Sequence, residues 1–190
     1  MLRFWLALLV LLVAACSSDD GGGTKAKPKV KTEIVFEAAA PAGGASISLR
    51  AKELTSEHLV LELVGKNITD LYGLAFRMTY DPAVLEPTAI TASTAWQGQT
   101  TALANAKNPG LWVAVITRQG KVKGIAAQDT VLGTLTLAIK QMKPTTLAFK
   151  LDRSRLVDSG GSSPSAVDWV AGALVERPVT GVAAASRLPL

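Results

Sequence analysis

Residues 71–87, LYGLAFRMTYDPAVLEP, constrain this chain more than any other stretch. Tyr72, Leu74, Phe76, Met78 and Tyr80 alternate with Gly73, Ala75, Arg77 and Thr79. That period of two belongs to a strand with one buried face. Asp81-Pro82 then stops it. Proline cannot donate to a ladder, and its fixed φ suits the second position of a turn. Asp81 suits the first, where its carboxylate accepts from the backbone just ahead. Val84 and Leu85 bring apolar weight back to the interior after the turn. The segment therefore predicts an inward face, a sharp corner and a hydrophobic plug.

The chain around it is also strand-like. Residues 47–54, 59–64, 86–92, 111–117, 131–140, 145–151 and 167–175 read as strands, with a shorter one near 100–104. Residues 111–117 are almost wholly apolar, which predicts a central strand or one with an apolar outer face. Gly, Pro and Asn punctuate the runs, and no amphipathic helix follows the N-terminal region. Such spacing argues for a sandwich or barrel. About 130 residues suffice for one core and not two. No internal repeat is visible.

The N-terminus is of another kind. Arg3 precedes an unbroken apolar run over residues 4–13, too short for the ~20 residues that span a bilayer. It reads as a signal peptide, residues 1–15. Val13-Ala14-Ala15-Cys16 resembles a bacterial lipobox, and the resemblance implies cleavage before Cys16 and lipid on its sulfur and amine. Cys16 is the only cysteine. This excludes an intramolecular disulfide or a CxxC site. After cleavage, 19 Lys plus Arg face 15 Asp plus Glu, a net charge of +4. That balance suits nucleic acid, but export argues against such a partner. Residues 16–44 are polar and small, with Lys25, Lys27, Lys29 and Lys31 among them. They read as a tether of ~28 residues with a reach of roughly 30 Å, either a solvated spacer or one touching anionic headgroups. Residues 34–36 are the one short strand candidate within it. The folded domain is assigned to residues 45–176, and residues 177–190 to a disordered tail.

No catalytic constellation is evident. His58 is the only histidine, and no GxSxG elbow accompanies it. The mature chain lacks the His and Cys that zinc needs. Asp70, Asp81, Asp129, Asp152, Asp158 and Asp168 are spread over turns, where carboxylates usually cap backbone. Calcium stays open because loop oxygens suffice for it, but no DxDxDG spacing marks a site. No metal ligand, cofactor or catalytic residue is assigned. Surface binding remains. Trp96 and Trp112 are the candidate aromatic contacts for sugar stacking, with Trp169 at the start of the last strand.

Four motifs in order carry a family resemblance: the Tyr80-Asp81-Pro82 corner with Leu85-Glu86, Gly120-Lys121-Val122, the run over residues 131–137, and the loop at residues 156–161. Together they resemble the cohesin domain of bacterial cellulosome scaffolds, over roughly residues 46–176. The resemblance implies a nine-stranded jelly-roll sandwich, a hairpin at residues 120–122, and a sheet face that holds the helices of a dockerin partner. Ala75, Arg77 and Thr79, with Thr134 and Thr136, are the candidate binding face. The leading expectation is a lipid-anchored envelope protein that binds a dockerin-like protein and is not an enzyme. A carbohydrate-binding module and a packing subunit of an envelope machine are the other classes. Ser17 after the cysteine favours the outer membrane in a Gram-negative cell.

Overall fold

The computed structural model describes residues 31–164 and 166–179. They form strands β1 (Thr32–Ala38), β2 (Ser46–Leu54), β3 (His58–Lys66), β4 (Ile68–Leu71), β5 (Gly73–Thr79), β6 (Leu85–Ala92) and β7 (Thr100–Asn105). After these come β8 (Leu111–Arg118), β9 (Ile125–Ala127), β10 (Thr130–Ile139), β11 (Thr145–Phe149), β12 (Arg155–Val157), β13 (Asp168–Val170) and β14 (Gly172–Pro178). Short 3-10 turns lie at Thr94–Trp96 and Leu151–Arg153.

The protein is all-β, as its alternation predicts. One sheet runs β1-β14-β11-β5-β8-β7, with β12 also on β5; the other runs β13-β2-β3-β10-β6. β4 and β9 form a separate two-stranded sheet. The described residues hold fourteen strands where nine were expected. The surplus comes from short segments such as β4, β9 and β12 that interrupt or extend longer runs. Residues 167–175 are likewise two strands, not one. β13 lies parallel to β2, and β14 pairs β1 and β11 in the opposite sheet.

A single core fills the space between the sheets. Leu61, Leu63, Leu135 and Leu137 come from one side, and Leu74, Phe76, Met78, Trp112 and Ile116 from the other. Each is a leucine-sized or larger apolar group, and burying one stabilises by about 1.5–3 kcal/mol. The Asp81 corner forms as expected. The Ala83 N–H donates to the Asp81 carboxylate at 2.8 Å, and the Val84 and Leu85 N–H groups donate to the Asp81 carbonyl. Val84 and Leu85 are fully buried. Pro87 is tolerated in β6 because β6 is an edge strand.

β1 lies inside the stretch read as tether. All seven of its residues pair with β14, from Thr32 opposite Pro178 to Ala38 opposite Gly172. Ile34 and Phe36 pack on the core. The Val179 N–H donates to the Lys31 carbonyl at 2.8 Å, so Arg177 and Pro178, assigned to the tail, belong to the sheet. Gly120-Lys121-Val122 is not a hairpin, since β9 beyond it pairs β4 and not β8. Among the described residues no helix is long and apolar enough to cross a membrane.

Candidate functional site

The outer face of β5, β8 and β7 combines apolar exposure with uncompensated charge. On β5, Leu74, Phe76 and Met78 point inward, so Ala75, Arg77 and Thr79 point out. On β8, Trp112, Ala114 and Ile116 are buried and Val113 and Val115 face out. Register then sets neighbours across three strands: Ala75 opposite Val115 opposite Leu103, and Arg77 opposite Val113 opposite Asn105. Leu103 is 62% exposed and Val113 37%. These residues make an apolar row on an open sheet face, with Arg77 at its margin.

A protruding turn flanks that row. β11 and β12 both pair with β5 and are separated by the 3-10 turn Leu151–Arg153. The turn is pinned across Arg77. The Lys150 N–H donates to the Arg77 carbonyl at 2.8 Å, and the Arg77 N–H donates to the Ser154 hydroxyl at 3.3 Å. Ala75, Arg77, Val113, Arg153 and Arg155 line one cleft beneath it, of about 390 Å³. The signal for the turn was weak in sequence, because Leu151–Arg153 follows β11 without glycine or proline.

The five residues expected to form one binding face do not share it. Thr134 and Thr136 lie on β10, in the opposite sheet from Ala75, Arg77 and Thr79. Their outward side is therefore the far side of the sandwich. There Arg50 and Glu62 pair at 2.8 Å beside Thr134, and Thr136 neighbours Val60 and Ala89. Alternation within a strand is readable in sequence, whereas membership of a sheet depends on distant partners.

Trp96 and Trp112 are not surface aromatics. Each is 1% exposed. The Trp96 ring N–H donates to the Leu132 carbonyl at 2.6 Å, which satisfies the indole inside the core. Trp112 points inward from a strand whose alternate residues face out. Trp169 is half-buried, with its ring edge-on to Phe149 at 5.3 Å.

Asp70, Asp158 and Asp168 act as loop ties. Asp70 accepts from the Gly124 N–H at 2.6 Å, the Ser159 hydroxyl at 2.6 Å and the Ser159 N–H at 3.2 Å. The Ser159 hydroxyl chiefly, with the two backbone donors and the Lys123 charge, holds its carboxyl below the ordinary value against a smaller opposing effect of desolvation. Gly124 is required there, since a Cβ would sit 2.4 Å from the Asp70 backbone carbon. Asp158 accepts from Gly160 and Ser162 N–H groups, and Asp168 from that of Ala42. Among the described residues no three His, Cys, Asp or Glu side chains gather as metal ligands would. His58 is exposed at the start of β3 near Glu57. Cys16 lies outside the described residues.

A sandwich of this topology with the Asp-Pro corner agrees with the comparison of sequences. The cohesin domain family model matches residues 57–173, well over half of the 190-residue chain. The chain belongs to the cohesin family. No curated protein matches it. Solved cohesins share its fold at low identity. A type II cohesin domain from the cellulosome of Acetivibrio cellulolyticus is 18% identical with a TM-score of 0.52, covering 70% of this chain and 95% of that one. A type I cohesin–dockerin complex from Clostridium thermocellum gives 16% identity and a TM-score of 0.53, covering 74% and 97%. The cohesin module of a family 33 glycoside hydrolase from Clostridium perfringens gives 13% and 0.51, covering 73% and 95%. The family match thus spans β3 to β13 and leaves out β1, β2 and most of β14.

Proposed function

We propose that this cohesin domain is a non-catalytic receptor for a dockerin-like protein, displayed on the cell envelope by lipid on Cys16. The observation that carries the binding part is the apolar row of Leu103, Val113 and the partly exposed Val115 on the outer sheet face of β8 and β7. Solved relatives include cohesin–dockerin complexes, and membership of the family supports the same class of partner here. A sheet face offers no main-chain edge, so affinity must come from side chains: an apolar centre that excludes water and polar groups around it. Leu103, Val113 and Val115 supply the first, Arg77, Thr79 and Asn105 the second.

The anchoring part rests on the lipobox-like residues 13–16 and on the tether that follows. A Gram-negative outer membrane is the location that Ser17 favours. Polysaccharide binding loses its best support, because Trp96 and Trp112 are interior.

The test is direct binding of purified dockerin modules to the wild-type domain and to the Leu103→Ser/Val113→Ser double variant. Capture by the wild type and at least a tenfold loss in the variant, about 1.4 kcal/mol, is expected. Both sites are exposed, so the melting temperature should stay close to wild type. Equal capture by both proteins would remove this face as the site. No capture by either would remove the dockerin reading.

A further inference from the structure

We infer that the partner meets this face with a helix carrying two carboxylates one turn apart, beside its apolar contacts. The inference rests on the reading of the β5-β8-β7 face as the partner site, and adds the chemistry of what binds there.

Of the described lysines only Lys140 has a carboxylate partner, but the arginines other than Arg77 and Arg155 are already engaged, Arg118 with the Lys123 and Gln97 carbonyls. Arg50 pairs with Glu62, Lys140 with Glu86 and Arg177 with Glu37, at 2.6–2.9 Å. Arg153 has Asp152 at 3.4 Å. Arg77 and Arg155 differ. Among the described residues neither has a carboxylate within 4.0 Å, and neither guanidinium makes a hydrogen bond to the protein. Yet both line the same cleft, together with Val113 and Ala75. Two unanswered arginines beside an apolar row are what a complementary anionic surface requires.

Register gives their separation. Arg155 is opposite Ala75, two residues before Arg77 on the neighbouring strand. Such diagonal neighbours lie about 7–8 Å apart. Residues one turn apart on a helix have Cβ atoms about 5–6 Å apart, and long arginine stems span the difference. Each guanidinium presents a planar fork that fits a carboxylate with two parallel hydrogen bonds. Val113 and Ala75 exclude water from one side of those bonds, which strengthens them. Asp152 is the one acid on the rim. It is engaged with Arg153, and it disfavours a partner acid placed further out. The pattern therefore specifies position as well as sign.

The test uses a dockerin module displayed on yeast with its exposed helix positions randomised. Sorting on the wild-type domain should enrich pairs of Asp or Glu three or four residues apart. Sorting on the Arg77→Glu/Arg155→Glu domain should enrich Lys or Arg at the same positions. Acidic binders chosen on the wild type should lose about tenfold or more in affinity for the reversed domain, and the loss should shrink at high salt. Both domains are melted first, and Arg77→Gln/Arg155→Gln replaces the reversal if the reversed domain is unfolded. Binders without an acidic bias would overturn the inference and leave the dockerin reading standing. An acidic bias that survives loss of both arginines would overturn it equally. Absence of any dockerin binder, with retention on heparin that the arginine variants lose, would overturn both and assign the arginines to a polyanion.

Discussion

Asp70 ties β4 to two loops with one carboxylate, and the geometry makes its charge state part of the fold. Its lowered carboxyl value means the ionised form is favoured in the folded protein. The stabilising contribution is therefore complete above the ordinary carboxylate value of 3.8 and is lost as pH falls through the lowered folded value. Asp70→Asn should lower stability at neutral pH and flatten the acid limb of the stability–pH curve. An amide oxygen can still accept from Gly124, but an amide nitrogen cannot accept from Ser159. Denaturant midpoints measured from neutral pH into acid check this, and an unchanged acid limb would contradict it. Other single residues were readable beforehand. Asp81, Val84 and Leu85 behave as the Asp-Pro corner required, because that chemistry is local. Trp96 was not readable. Its burial depends on the Leu132 carbonyl, 36 residues away.

Strands that contain a clear alternating run, such as β3, β5 and β10, were legible because one buried face imposes a period of two. Three-residue strands such as β9 and β12 are shorter than any period can reveal. Partition between sheets was not legible either, since β5 and β10 look alike in sequence and sit on opposite sides. β1 was the least expected element. Its composition is ordinary for a strand, but it sits behind a lysine-rich, glycine-rich stretch. What holds it is close packing on β14. At Gly172 a Cβ would lie 2.3 Å from the Glu37 carbonyl oxygen and 2.6 Å from the Phe36 ring. Gly172→Ala should therefore push β1 away, at a cost of about 1–3 kcal/mol as for other overpacked sites. Hydrogen exchange should show faster exchange in the β1 amides with β3 and β10 protected as before. Unchanged protection of β1 would mean that the strand tolerates the methyl group.

The molecule as a whole joins an exported, lipid-anchored N-terminus, by our proposal, to one sandwich. Cys16→Ser should abolish incorporation of a fatty-acid analogue and shift the protein from the membrane fraction to precursor or soluble forms. Two or more acyl chains hold stably at ~0.8 kcal/mol for each buried CH₂, so the shift should be nearly complete. Equal labelling of wild type and variant would exclude the anchor. Where the chain enters the sandwich also matters mechanically. Lys31 leads directly into β1, and β1 touches its sheet only through β14. A partner held on the β5-β8-β7 face and dragged away from the anchor draws its load through that ladder and the packing of Ile34 and Phe36 on the core. Tension along β1 strains all seven residue pairs at once, as in shear. Tension across it opens Thr32–Pro178 first and then each pair in turn, as in a zipper. The direction of pull therefore decides whether the first strand behaves as a clasp or as a release.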